Sequence, residues 1–135
     1  SSLFWGPKVT DTQHVIKYAT SMDGINWKRS NHICINTKSE QEFAIVKPFV
    51  LKENGVYKMW YCYRNAGYFI GYAESMNGID WKRKDQKVGI DVSNFGWDSE
   101  MVCYPFIFDH NGKRYMLYNG NGYGKSGFGL AILEQ

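Results

Sequence analysis

Apolar and aromatic residues occur along the chain in short runs, which polar, glycine-containing segments separate. No segment of useful length repeats its apolar residues with the period of an α-helix. Short runs rich in β-branched and aromatic residues between such turns are typical of strands. The pattern therefore predicts an all-β chain with strands over 14–20, 27–35, 43–51, 56–63, 68–74, 81–84, 100–108, 115–118 and 127–133, and a further strand ending at Leu3-Phe4-Trp5.

One nine-residue motif occurs twice. Ser21-Met22-Asp23-Gly24-Ile25-Asn26-Trp27-Lys28-Arg29 returns 54 residues later as Ser75-Met76-Asn77-Gly78-Ile79-Asp80-Trp81-Lys82-Arg83. Asp-Gly and Asn-Gly supply the positive backbone angles of tight hairpin turns. The tryptophan that follows is predicted to anchor the returning strand by packing. A hairpin that recurs at this spacing indicates a repeated all-β unit, as in propellers.

The repeat unit has four strands. The unit over 43–84 is complete, the unit over 1–35 is partial, and the unit over 100–135 lacks its outer strand. Pro48 and Pro105 fall at equivalent positions of the first strand of their units. We predict a single partial β-propeller domain of about two and a half four-stranded antiparallel blades, in which the repeated hairpins are structural.

Composition excludes several classes of protein. A net charge of +3 is too small to indicate nucleic acid binding. Three cysteines without a Cys-x-x-Cys pair are predicted to be buried free thiols, which favours a cytoplasmic location. No apolar run is long enough to span a membrane. The three histidines are scattered, so neither a metal site nor a cofactor is predicted. The 5 Trp, 10 Tyr and 8 Phe suit packed strands and also sugar-stacking sites.

Several motifs together resemble one superfamily. They are the two hairpins, Gly71-Tyr72-Ala73-Glu74-Ser75, Asn54-Gly55-Val56-Tyr57-Lys58-Met59-Trp60-Tyr61 and the stretch from Trp97 to Pro105 that continues into 115–122. The protein resembles the C-terminal half of a five-bladed glycoside hydrolase propeller of the arabinanase, invertase and mannoside-phosphorylase type. This resemblance implies a carbohydrate partner. Because half a propeller exposes sheet edges, we also expect a homo-oligomer.

The loops that enter the first strand of a blade and leave its second strand lie at the top of a propeller, where the resemblance places the ligand. Glycoside cleavage needs one carboxylic acid and one carboxylate on opposite sides of the bond. Glu100 begins an innermost strand beside Asp98, and Glu42 holds a nearly equivalent place one blade earlier. These three are the candidate catalytic residues, and solvated loop acids are the alternative.

Seven further residues are candidates for substrate binding: Lys47, Arg64, Tyr68, Trp97, Tyr104, Asn119 and Tyr123. Lys47 and Tyr104 each precede a proline in equivalent strands, where they point into the central channel or pack between blades. The glycine-rich segment 119–126 is not a phosphate-binding loop because no helix follows it. Three functions remain open: a glycosidase-like enzyme with Glu100 as general acid, a non-catalytic carbohydrate-binding module, and an oligomeric interaction module.

Overall fold

The computed structural model describes residues 13–134, and within them every regular element except two short helical turns is a β-strand. Nine strands alternate with turns: β1 (Ile16–Thr20), β2 (Lys28–Ile35), β3 (Ala44–Glu53), β4 (Val56–Arg64), β5 (Tyr68–Ser75), β6 (Lys82–Arg83), β7 (Cys103–His110), β8 (Lys113–Asn119) and β9 (Phe128–Ile132). A 3-10 turn (Asp85–Lys87) follows β6. None of the helices within 13–134 is long and apolar enough to cross a bilayer.

The strands form three antiparallel sheets in the order of the sequence. The first sheet pairs β1 with β2, the second has the order β3-β4-β5-β6, and the third has the order β7-β8-β9. This arrangement confirms the partial propeller of about two and a half blades. The strand predicted to end at Leu3-Phe4-Trp5 lies outside the described residues.

The two repeated hairpins are held by their own side chains. Ser21 Oγ accepts a hydrogen bond from the Gly24 amide, and Asp23 Oδ1 accepts from the amides of Ile25 and Asn26. The second hairpin repeats these bonds with a serine and an asparagine at the same positions. Gly24 has a φ of 74°, which explains why glycine follows the acidic residue. The motif is therefore a self-contained turn, as its sequence predicts.

Two apolar clusters join neighbouring sheets. The first packs Ile16 and Ile35 of the first sheet against Met59 and Tyr61 of the second. The second packs one face of the second sheet against the third sheet, and its members include Trp60, Ile70, Tyr72, Val102, Ile107 and Met116. The four-stranded sheet is thus apolar on both faces, and each face is covered by a neighbour.

The two hairpin tryptophans differ in burial although their motifs match. Trp81 is partly buried against the first cluster, whereas 60% of the surface of Trp27 is exposed. Trp81 lies where the first and second sheets meet, and no described sheet precedes the one that holds Trp27. The prediction that both tryptophans are packing anchors is therefore confirmed for Trp81 and wrong for Trp27 within residues 13–134.

A charged network connects the loop before β3 with the second sheet and the 3-10 turn after it. Arg83 donates two hydrogen bonds to Glu42, of 2.6 and 2.7 Å, and also contacts Asp85 at 2.9 Å. Asp85 accepts further bonds from Tyr61 Oη at 2.5 Å and Lys38 Nζ at 2.6 Å. Burial opposes the charge of Arg83, but its hydrogen bonds to Glu42 raise its pKa. Burial likewise disfavours ionised Asp85, yet the bonds from Lys38 and Tyr61 lower its pKa.

Replacing Arg83 by Met should be strongly destabilising. Glu42 is only 3% exposed, and without the guanidinium its charge would be buried unpaired. Loss of one partner of a buried ion pair costs about 3–5 kcal/mol of unfolding free energy. Urea denaturation followed by far-ultraviolet circular dichroism measures the effect. Lys38→Met is the matched control, because the Lys38 side chain is 56% exposed and its loss should cost less than about 1 kcal/mol. Equal stability of Arg83→Met and the wild type would show that the network is dispensable.

Candidate functional site

Two equivalent bulges present side chains at the inner strands of the second and third sheets. The pairing of β3 with β4 is interrupted between Val46 and Phe49, and that of β7 with β8 between Cys103 and Phe106. Lys47 and Tyr104 lie in these gaps with φ values of 53° and 59°. A bulge re-aims side chains away from the regular alternation of a strand. A proline follows each of these residues, which explains why strand pairing is interrupted at equivalent positions of the two sheets.

Five of the predicted binding residues form one continuous surface, which we call the tyrosine–cation surface: Lys47, Arg64, Tyr68, Tyr104 and Tyr123. The Tyr123 ring centre lies 5.9 Å from that of Tyr68 and 6.3 Å from that of Tyr104. Lys47 Nζ lies 5.6 Å from the centre of the Tyr104 ring, and the Arg64 guanidinium lies 5.4 Å from that of Tyr68. The fold therefore brings together residues that are up to 76 positions apart in the sequence, from Lys47 to Tyr123.

Glu100 lies beside this surface, between the loops that carry Tyr68 and Tyr123. The Val102 amide donates to the Tyr68 carbonyl at 3.0 Å. Asn121 Oδ1 accepts hydrogen bonds from the amides of Glu100 and Met101 at 2.8 and 3.2 Å. Glu100 is exposed, and its carboxylate has no ion pair or hydrogen bond to another residue within 13–134.

The turn that carries Tyr123 has an unusual backbone. Gly122 and Tyr123 both have left-handed angles, with φ values of 60° and 62°. Asn119 Nδ2 donates to the Tyr123 carbonyl at 3.1 Å. Asn119 therefore fixes the backbone that presents Tyr123, while 48% of the Tyr123 surface remains exposed. Asn119 thus supports the turn on which the Tyr123 ring is exposed.

Asp98 and Trp97 pack within the third blade. Asp98 is 5% exposed and accepts a hydrogen bond from Tyr118 Oη at 3.0 Å. The Trp97 ring lies 5.4 Å from that of Tyr118, and a Cβ added to Gly129 would clash with the indole. The Trp97 indole thus packs against the third sheet at Gly129, where the lack of a side chain leaves room for it. Trp97 does not join the rings of the tyrosine–cation surface.

Glu42 has contacts that differ from those of Glu100. Both of its carboxylate oxygens bind Arg83, and one also accepts from the Lys38 amide at 2.7 Å. The buried carboxylate of Glu42 is therefore already hydrogen-bonded through both of its oxygens. Of the three candidate acids, Glu100 alone is both exposed and without a polar side-chain partner among the described residues.

Burial under the surface changes the chemistry of its hydroxyl and thiol groups. Desolvation raises the pKa of Tyr68 and that of Tyr104 further above neutral pH, where tyrosine hydroxyls are uncharged in any case. Cys62 lies beneath them, and its Sγ accepts a hydrogen bond from the Tyr104 amide at 3.0 Å. Desolvation raises the pKa of Cys62 to about 12 despite this bond. The surface therefore offers neutral aromatic rings and two cations.

Sequence reasoning missed two supporting residues, Cys62 and Asn121. Both act through contacts to backbone atoms that are distant in sequence, Tyr104 for the cysteine and Glu100 for the asparagine. The only available signal was position: Cys62 lies in the second strand of its blade, and Asn121 lies in the same glycine-rich loop as Tyr123.

Solved structures share this arrangement of sheets. A glycoside hydrolase aligns with 94% of the chain at a TM-score of 0.70 and 20% identity, and the chain covers 37% of it. The fold is that of a glycoside hydrolase-type β-propeller. A second structure of this fold, a complex of BT0996 with RGII, has a TM-score of 0.69 at 20% identity, with the same coverage of 94% and 37%. A Bombyx mori GH32 beta-fructofuranosidase in complex with sucrose has a TM-score of 0.64 at 16% identity, over 96% of this chain and 29% of its own.

Curated sequences add more similar relatives of this propeller. Uncharacterized protein Rv1502 of Mycobacterium tuberculosis is 46% identical over 99% of the chain and 45% of its own length. A 1,2-beta-oligomannan phosphorylase of Thermoanaerobacter is 38% identical over 75% of the chain and 33% of its own length. No family model matches. The chain thus spans less than half the length of the curated relatives it matches.

The thiols under the site should resist modification. All three cysteines are free and buried, which confirms their prediction, and desolvation raises the pKa of Cys103 to about 11. At pH 8 the native protein should therefore react with Ellman's reagent far more slowly than the protein in about 6 M guanidinium chloride, where all three thiols should titrate at once. Rapid reaction of Cys62 or Cys103 in the native protein would show that the core beneath the surface opens readily.

Proposed function

We propose that this propeller binds carbohydrate on the tyrosine–cation surface and is glycosidase-like, with Glu100 as its general acid. The observation that carries the proposal is the convergence of five predicted binding residues beside an exposed, unpartnered carboxylate. Aromatic rings can bind the apolar faces of sugar rings, while lysine and arginine donate hydrogen bonds to hydroxyl or anionic groups. The sugar-related names of the phosphorylase and the fructofuranosidase are consistent with this class of ligand.

A general acid must reach the leaving-group oxygen by a hydrogen bond of about 2.6–3.2 Å. A sugar stacked on Tyr123 would lie against the loop whose Asn121 holds the Glu100 amide. In the proposal, Glu100 donates its proton to the glycosidic oxygen as the bond to the anomeric carbon breaks. Lys47, which lies over the Tyr104 ring, and Arg64, which lies over the Tyr68 ring, orient the sugar.

Glycoside cleavage also needs a second carboxyl group, either as base or as nucleophile. Asp98 and Glu42 remain the proposed candidates. Each would have to leave a present partner, Tyr118 for Asp98 and Arg83 for Glu42. This requirement is the observation that supports a second candidate function. In that case the protein is a carbohydrate-binding or oligomeric interaction module that keeps the surface without a complete catalytic pair. Association of copies through open sheet edges and a cytoplasmic location remain predictions.

Replacing Glu100 by Gln should separate catalysis from binding. If Glu100 is the general acid, the variant should lose at least about 100-fold in turnover, which is the usual contribution of acid catalysis. Release of reducing sugar or sugar phosphate from a panel containing β-1,2-oligomannan and sucrose, with and without inorganic phosphate, measures it. The control is Glu40→Gln, which removes an exposed acid from the loop before β3. Turnover by Glu100→Gln at the wild-type rate would eliminate the catalytic assignment.

Replacing Tyr123 by Ala should weaken carbohydrate binding by roughly 10-fold, because a stacking contact of about 1 kcal/mol or more is lost. Isothermal titration calorimetry with the same panel measures the dissociation constant. Phe95→Ala is the matched control, since Phe95 is 85% exposed and outside the tyrosine–cation surface. Titrations without heat for every sugar with the wild-type chain would contradict both carbohydrate functions.

A further inference from the structure

The side chain of Asn121 holds the segment that carries Glu100. Asn121 Oδ1 accepts hydrogen bonds from the amides of Glu100 and Met101 at 2.8 and 3.2 Å. Asn121 Nδ2 donates to the Gly96 carbonyl at 3.1 Å and to Ser99 Oγ at 3.4 Å. A primary amide has two acceptor and two donor positions, so all four are used. The opposite orientation of the amide would direct its donors at two backbone N–H groups, and the observed orientation is therefore fixed.

The internal repeat shows that this side chain replaces strand pairing. On the alignment that superposes the two bulges, Glu100 corresponds to Phe43 and, in the same way, Asn121 to Arg64. The Phe43 amide donates to the Arg64 carbonyl at 3.2 Å, which extends the pairing of β3 with β4. In the third sheet, β7 begins only at Cys103, and the Glu100 amide donates to the side chain of Asn121. The chain has thus left the strand ladder at Glu100, and one side chain takes the place of the backbone acceptor.

The turn that contains Asn121 also presents Tyr123. The Asn121 amide donates to the Trp97 carbonyl at 2.7 Å, and a Cβ added to Gly120 would lie 2.5 Å from that carbonyl oxygen. The segment with Glu100 and the turn with Tyr123 are therefore in contact at backbone distance. The two left-handed residues of the turn leave its backbone little freedom between Asn121 and Tyr123.

We propose that Asn121 is a positioning residue, which sets the place of Glu100 relative to the ring of Tyr123. The inference rests on the proposed function, in which Tyr123 binds the sugar and Glu100 protonates the glycosidic oxygen. The Glu100 carboxylate has no side-chain partner within 13–134, so the backbone that Asn121 holds determines what it can reach. Misplacing a reacting group by about 1 Å can lower a rate by about 100-fold. Asn121 therefore acts on turnover, whereas affinity for the sugar depends on Tyr123.

Amide hydrogen exchange, measured by NMR on the full chain, tests the contact without any ligand. We expect Asn121→Ala to raise the exchange rates of the Glu100 and Met101 amides at least about 10-fold, because both lose their acceptor. The matched control is Asn94→Ala, which should leave both rates unchanged. Asn94 is exposed and has no side-chain hydrogen bond among the described residues. Equal rates in Asn121→Ala and the wild type would overturn the inference, whatever the result with sugars.

Kinetics with β-1,2-oligomannan and with sucrose, each with and without inorganic phosphate, test the consequence. Asn121→Ala should lower kcat at least about 10-fold and change KM less than about 3-fold. Asn121→Asp keeps an acceptor for the two amides and should recover most of the lost kcat. In the Glu100→Gln background, Asn121→Ala should cause no further loss, because both changes act through the same acid. A further loss in the double variant would indicate a general structural role and would overturn the inference.

The inference and the proposed function fail in different ways. If the wild type turns over a sugar and Asn121→Ala does so at the same rate, only the inference is wrong. If the wild type cleaves no sugar, the proposed catalysis is wrong and the positioning role is lost with it, even where amide exchange responds to Asn121→Ala. If Asn121→Ala does not fold by circular dichroism, Asn121→Ser replaces it in both experiments, since its hydroxyl is too short to span the two amides.

Discussion

The structure depends on the fact that its complete sheet is apolar on both faces. Burial of apolar area is worth roughly 25 cal/mol per Å², so each face is stable only when a neighbouring sheet covers it. The second sheet meets this condition, with Tyr61 and Met59 against the first sheet and Trp60 and Tyr72 against the third. Within residues 13–134 no sheet covers the other face of the third sheet, where Leu130 is 54% exposed. The glycoside hydrolase of the same fold is a longer protein, of which this chain covers 37%.

Equivalent positions in the two larger sheets reach the same packing with different chemistry. Tyr61 donates its hydroxyl proton to Asp85 and lies under Arg83, while Tyr118 donates to Asp98 and lies under Trp97. In both cases a flat group covers the ring and a carboxylate binds the hydroxyl. The carboxylate comes after the tyrosine in one blade and before it in the other. The fold therefore fixes where these contacts occur more strictly than it fixes which residues make them. The contact with Tyr118 explains the burial of Asp98 without a catalytic role.

Much of the fold could be predicted from the sequence, because the signals for strands and hairpins are local. The existence and order of the strands followed from runs of β-branched and aromatic residues, and the hairpins followed from Asp-Gly and Asn-Gly. The strand predicted to begin at Glu100 instead begins at Cys103. The alignment of Pro48 with Pro105 put Lys47 and Tyr104 at equivalent positions of their strands, whereas the bulges in which both residues lie were not predicted. The partner of Glu42 could not be predicted, since Arg83 is 41 residues away and belongs to the repeated hairpin motif. The packing of Trp97 was missed for the same reason: it depends on the space left by Gly129, which no pattern reveals.

Three non-glycine residues of the tyrosine–cation surface have left-handed backbone angles. Lys47, Tyr104 and Tyr123 all have positive φ, a conformation that costs non-glycine residues roughly 1–3 kcal/mol in strained sites and that glycine adopts freely. Other positive-φ positions within 13–134 are glycine, or asparagine in an Asn-Gly turn, where the fold alone explains the choice. At the three surface positions the chain instead keeps a long cation and two aromatic rings. These three positions are therefore the strained ones for which the proposed ligand-binding role offers a reason.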